Sequence, residues 1–104
     1  MHNSYTSDPK IIHQGIVEIL KLLKKHSIVP NALAQAINVQ SIRIYEILNN
    51  KRRITADTDL RLTHFFCLKE GFFLNLQTQY DLALTKELLS AKLTKIKTIK
   101  EIGR

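Results

Sequence analysis

Between Gln40 and Thr55 the chain concentrates side chains that can hydrogen-bond planar bases and anionic phosphates. Gln40 and Ser41 suit base edges, Ile42 suits a thymine methyl, and Arg43 suits a guanine or a phosphate. Glu46 can accept from cytosine N4, although it also repels phosphate. Tyr45 and Asn49 complete the outward side of the same stretch. Lys51, Arg52 and Arg53 follow directly. Thr55 then adds a hydroxyl and a helix-start N–H where a backbone phosphate would lie. The chemistry on offer is recognition, not bond-making. Two other readings stay open: Ile42 and Tyr45 as an interface patch, and the Lys-Arg-Arg triplet as an ordinary solvated turn.

Nothing in the chain argues for catalysis or for a cofactor. There is no Gly-rich phosphate loop and no paired-carboxylate arrangement, so no enzyme activity is expected. His2, His13, His26 and His64 lack metal-ligand spacing and read as surface or capping residues, so no metal site is expected either. Cys67, the one cysteine, excludes an internal disulfide and reads as a buried apolar filler.

The recognition stretch needs elements to hold it. Ile12, Ile16, Ile19, Leu20 and Leu23 recur at helical spacing and predict a helix over about 14–26, after a polar arm at residues 1–11. Pro30 suits a first helical position and opens a short helix over about 30–37. Asn38 supplies a residue tolerant of positive φ for a tight turn. Val39, Ile44, Ile47 and Leu48 then give the inner face of a helix over about 40–49. Asn50 is a second candidate for positive φ. Thr55 is a good N-cap for a fourth helix running to about Leu68, with Asp57 near its positive end. A fifth begins near Gly71 and carries Phe72, Phe73, Leu74, Leu76, Tyr80, Leu82 and Leu84.

Two short helices around Asn38 cannot bury enough surface alone. They need the flanking helices as a frame, and small Ala34 and Ala36 allow a close, steep crossing. That is the helix-turn-helix arrangement, whose second helix fits a DNA major groove.

Composition agrees. At 104 residues and 12.0 kDa the chain suits a single domain, and 44% hydrophobic with 24% charged residues is ordinary for a globular one. With 3 Gly and 2 Pro, a sandwich or barrel of short strands is disfavoured. No apolar run approaches the ~20 residues of a membrane span. The first residues carry no signal-peptide core, so a cytoplasmic protein without membrane attachment is expected. Sixteen Lys+Arg against nine Asp+Glu leave +7. Such a charge suits nucleic acid, an anionic surface or an acidic partner, and does not choose among them.

The segment Leu48-Asn49-Asn50-Lys51-Arg52-Arg53-Ile54-Thr55-Ala56-Asp57-Thr58 resembles the signature of HigA-type (VapI-like) antitoxins, members of the lambda-repressor-like, Xre-type helix-turn-helix class. The resemblance continues in Phe72-Phe73-Leu74-Asn75-Leu76-Gln77 and Tyr80-Asp81-Leu82, reaches back to His13-Gln14-Gly15, and covers about residues 12–84. It implies an all-α, five-helix lambda-repressor-like domain with a helical C-terminal extension at 85–104. It also implies a homodimer that binds double-stranded operator DNA in its own promoter and neutralises a RelE-like mRNA endonuclease toxin. Asn38 and Asn50 stand where the family has glycine, and Phe73 where it has tryptophan. Pro30 stands where the class often has a phosphate-binding glutamine, so that contact is expected to be lost.

Leu88, Leu89, Leu93, Ile96 and Ile99 read as one apolar stripe opposite lysines. It suits a partner groove, an anionic membrane surface, or an extension of the fifth helix against a dimer mate. The competing functions are a stand-alone Xre-type regulator with no toxin, and an interaction module that has lost DNA binding.

Overall fold

The computed structural model describes residues 13–103, and the expected arm at 1–11, with Ile12 and His2, lies outside them. The chain is all-helical: α1 (Gln14–Lys25), α2 (Pro30–Ala36), α3 (Ser41–Leu48), α4 (Ala56–Phe66), α5 (Phe72–Leu93) and α6 (Ile99–Ile102). Helices α1 and α5 pack together, α3 lies against α1 and α2, and α4 lies against α5.

Local rules account for most boundaries. His13 caps α1, its ring accepting from the Ile16 N–H at 3.4 Å. Pro30 is the first residue of α2, where a missing N–H leaves nothing unpaired. Thr55 caps α4 by accepting from the Thr58 N–H at 3.3 Å. Asn38 and Asn50 take positive φ, 61° and 58°, in the turns on either side of α3. Ser27 and Cys67 do the same at the ends of α1 and α4. Gly15 lies where α1 comes close to α5: a Cβ there would sit 3.3 Å from the Phe73 carbonyl oxygen and 2.9 Å from the His13 ring.

The core is Ile19, Leu23, Leu33, Ala34, Ile37, Ile44, Ile47, Ile54, Leu62 and Phe73. Burying these apolar side chains supplies the main driving force for bringing the helices together. Four polar side chains, Thr58, Asp59, Thr63 and Gln77, are buried beside them, each with hydrogen-bond partners. Asp59 of α4 accepts from the backbone N–H groups of Gly71 (2.7 Å), Phe73 (2.9 Å) and Leu74 (2.9 Å). It thereby fills the positive end of α5, which has no side-chain cap of its own.

Four sequence expectations need correction. Cys67 is exposed, not buried. Helix α4 stops at Phe66 instead of about Leu68, and the left-handed Cys67 turns the chain away. Ala36 is exposed, so only Ala34 provides the close crossing of α2 with α3. The apolar stripe is not continuous either. Helix α5 passes without a break through residues 84–85 and ends at Leu93. Thr98 and Glu101 then form a capping box that starts α6, so Ile96 and Ile99 leave the α5 register. The pattern T-x-x-E was present in the sequence as that signal.

Candidate nucleic-acid interface

Helix α3 is held by its inner face and presents its outer one. Ile44 and Ile47 are buried, whereas Ile42 (55% exposed) and Tyr45 (42%) face outward. Gln40 and Asn49 are exposed caps at the two ends of the helix, and Ser41, Arg43 and Glu46 are half-buried at its flanks. The turn Lys51-Arg52-Arg53 and Thr55 are exposed just beyond the C-terminal end. Gln40, Ser41, Ile42, Arg43, Tyr45, Glu46, Asn49, Lys51, Arg52, Arg53 and Thr55 thus lie along α3 and the loop that follows it.

Their hydrogen bonding was not legible in the sequence. Arg43 Nη1 donates to Asp57 Oδ1 at 3.1 Å and lies 3.4 Å from Thr58 Oγ1. Asp57 Oδ1 also accepts from Arg61 Nε at 2.7 Å. Arg61 in turn donates to the carbonyls of Ile37 (2.9 Å) and Asn38 (3.2 Å), the turn between α2 and α3. One carboxylate therefore links the start of α4 to the first turn of α3 and, through Arg61, to the turn that joins α2 and α3. These hydrogen bonds, first from Arg61 and then from Arg43, hold the Asp57 carboxyl below its ordinary range.

The basic turn is similarly engaged. Arg52 Nε donates to Glu46 Oε1 at 2.8 Å. Arg53 forks onto Asp81 of α5, with one bond at 3.1 Å and a second that is shorter. That fork holds the Asp81 carboxyl below its ordinary range, against the opposing effect of its partial burial, and the nearby His13 adds to the lowering. The Thr55 hydroxyl is occupied as well, as the cap of α4.

Gln77 of α5 sets the path of the loop. It is 2% exposed, and its amide donates to the Ile54 carbonyl at 2.8 Å and accepts the Ile54 N–H at 2.7 Å. His13 lies 3.4 Å away from the same amide oxygen and stacks on Tyr80 with ring centroids 4.9 Å apart. Sequence reasoning placed Gln77, Asp81 and Tyr80 in a motif without assigning them a job, and it missed Arg61. A glutamine between Phe73, Tyr80 and Leu84 at helical spacing was the available signal for Gln77.

Among the described residues, no group of three or more His, Cys, Asp or Glu side chains is placed to hold a metal ion, and no helix is long and apolar enough to cross a membrane.

No family model matches the chain. Virulence-associated protein I of Dichelobacter nodosus is 41% identical over 76 residues, which span 73% of this chain and 70% of that protein. The Pseudomonas aeruginosa antitoxin HigA, solved with the higBA promoter, superposes with a TM-score of 0.77 at 30% identity, covering 86% of this chain and 98% of that one. An addiction-module antidote protein of the HigA family from Coxiella burnetii superposes with a TM-score of 0.75 at 36% identity, covering 85% and 96% respectively. A Pseudomonas aeruginosa structure with an 18-base-pair operator DNA gives 0.77 at 31% identity over 84% of this chain and 95% of that one.

Proposed function

The chain belongs to the HigA-type (VapI-like) antitoxin family, and from that premise we propose that it is a DNA-binding antitoxin that represses its own promoter and neutralises a RelE-like mRNA endonuclease toxin. The observation that supports DNA binding most is the outer face of α3. It combines exposed apolar and polar side chains while Ile44 and Ile47 anchor it from behind, as a helix entering a groove about 12 Å wide requires. Gln40, Ser41, Ile42, Tyr45 and Asn49 read base edges on this proposal. Lys51 and the backbone at the start of α4 meet phosphates. Relatives solved with a promoter or an operator add to the same reading.

A homodimer would place two α3 helices about 34 Å apart, so operator half-sites would lie about 10 base pairs centre to centre. The test is a mobility shift of the full chain on its own upstream promoter across a salt series. Palindrome-dependent binding that weakens steeply with salt supports the proposal, and its absence overturns DNA repression. For the toxin arm, co-expression with a RelE-like toxin encoded beside its gene should yield a co-purifying complex and restore growth. Growth arrest that persists overturns neutralisation.

A further inference from the structure

The loop between α3 and α4 carries three consecutive cations, yet two of them are already bound by acids of the same chain. Arg52 is held by Glu46 of α3 at 2.8 Å, and Arg53 is held by both oxygens of Asp81 on α5. Lys51 has no acidic partner among the described residues. The fork onto Asp81 occupies two Arg53 donors that a phosphate would use, and the bond to Glu46 takes the Arg52 Nε and sets a negative charge against it. The two acids come from different elements, and Gln77 fixes the loop so that both arginines stay in reach.

Attraction between arginines and phosphates is independent of base sequence and raises affinity for every duplex alike. An acid that occupies an arginine subtracts from this general attraction and leaves base-edge contacts along α3 untouched. Resting on the DNA-binding reading above, we propose that Glu46 and Asp81 are specificity-determining positioning residues: by holding Arg52 and Arg53 in place of phosphate, they lower affinity for random-sequence DNA relative to the operator. Asp57 does a different job, since its bond to Arg61 also fixes the turn at Ile37 and Asn38.

The experiment measures binding of the full chain to a random-sequence duplex and to its own promoter duplex, between 50 and 200 mM NaCl, for the wild type, Glu46→Gln, Asp81→Asn and Glu70→Gln. Glu70 lies beyond the opposite end of α4 and controls for loss of one negative charge. On random DNA, each of the first two substitutions should steepen the slope of log affinity against log salt by about 0.9, which is about a 3.5-fold larger gain between 200 and 50 mM. Operator affinity should rise less, so the specificity ratio falls. Melting curves that show both variants fully folded at the assay temperature separate this effect from misfolding, and combining either variant with Arg52→Gln or Arg53→Gln, respectively, should cancel the gain. Wild-type binding with slopes for Glu46→Gln and Asp81→Asn equal to that of Glu70→Gln overturns this inference alone. Wild-type protein that binds neither duplex overturns the DNA-binding reading and this inference with it.

Discussion

Gln77 and Ile54, 23 residues apart, are joined by two opposed hydrogen bonds between a side-chain amide and a backbone peptide. The pairing resembles one rung of a sheet ladder, and it occurs where the chain leaves the recognition helix and turns toward α4. Ile54 is itself buried, so its N–H and carbonyl have no water to turn to. The loop bearing Lys51, Arg52 and Arg53 is therefore fixed at its far end by the core.

Gln77→Ala should leave both Ile54 groups without partners. Leaving buried backbone groups unsatisfied costs about 1–3 kcal/mol each, so a loss of about 2–6 kcal/mol is expected. Urea unfolding followed by circular dichroism measures it. A loss below about 1 kcal/mol would show that the loop relaxes to rebond.

Outer-face substitutions on α3 should separate specificity from stability. Ile42→Ala removes an exposed side chain, so unfolding should change by no more than about 0.5 kcal/mol, while operator affinity should fall and affinity for random DNA should not. Lys51→Ala should instead weaken all duplexes alike and flatten the salt slope by about 0.9. Anisotropy titrations on operator and random duplexes decide the matter; equal loss on both for Ile42→Ala would remove it from base readout.

Acid should destabilise the fold in a defined window. Both Asp57 and Asp81 have folded-state pKa values below their ordinary 3.8 because arginines hydrogen-bond their charged forms. The unfolded chain therefore binds protons more readily than the folded one. The stability contributed is fully present above about pH 4 and is lost as pH falls through the lower, folded-state values. Urea midpoints measured from pH 7 to pH 2.5 should decline over that window, and the gap between wild type and a Asp57→Asn, Asp81→Asn double variant should close at the acid end. A gap that stays constant with pH would refute the assignment.

Left-handed positions predict stabilising changes. Ser27 (φ 55°) and Cys67 (φ 58°) hold side chains in a backbone region that costs an L-residue about 1–2 kcal/mol, of which glycine's greater unfolded-state freedom returns about 0.5–1. Ser27→Gly and Cys67→Gly should therefore stabilise by up to about 1 kcal/mol. Asn38→Gly and Asn50→Gly should gain less, because asparagine tolerates this conformation well. Thermal melts of the four variants, ranked against one another, check the order.

Much of the fold could be read from local chemistry. Pro30 marks the start of α2, Thr55 the cap of α4, and Asn38 and Asn50 the turns that bracket α3. Each of these signals acts within a few residues, so the sequence alone expresses it. The period of Ile16, Ile19 and Leu23, or of Ile44 and Ile47, likewise identifies a buried face without knowledge of what covers it. Cys67 misled because composition favours burying a cysteine, whereas the end of a helix turned this one outward.

The sequence by itself determined the first five helices, the Pro30 start of α2, the Thr55 cap of α4, and the outward placing of Ile42 and Tyr45 on α3. Tertiary structure alone decided which charge meets which: Arg53 finds Asp81 at a separation of 28 residues, and Arg43 finds Asp57 at 14. It also decided that Asp59 caps a helix other than its own. The reason is physical. Caps and periodicity depend on neighbours along one chain segment, but a hydrogen bond between helices depends on their crossing and rotation, which the packing of the whole core sets.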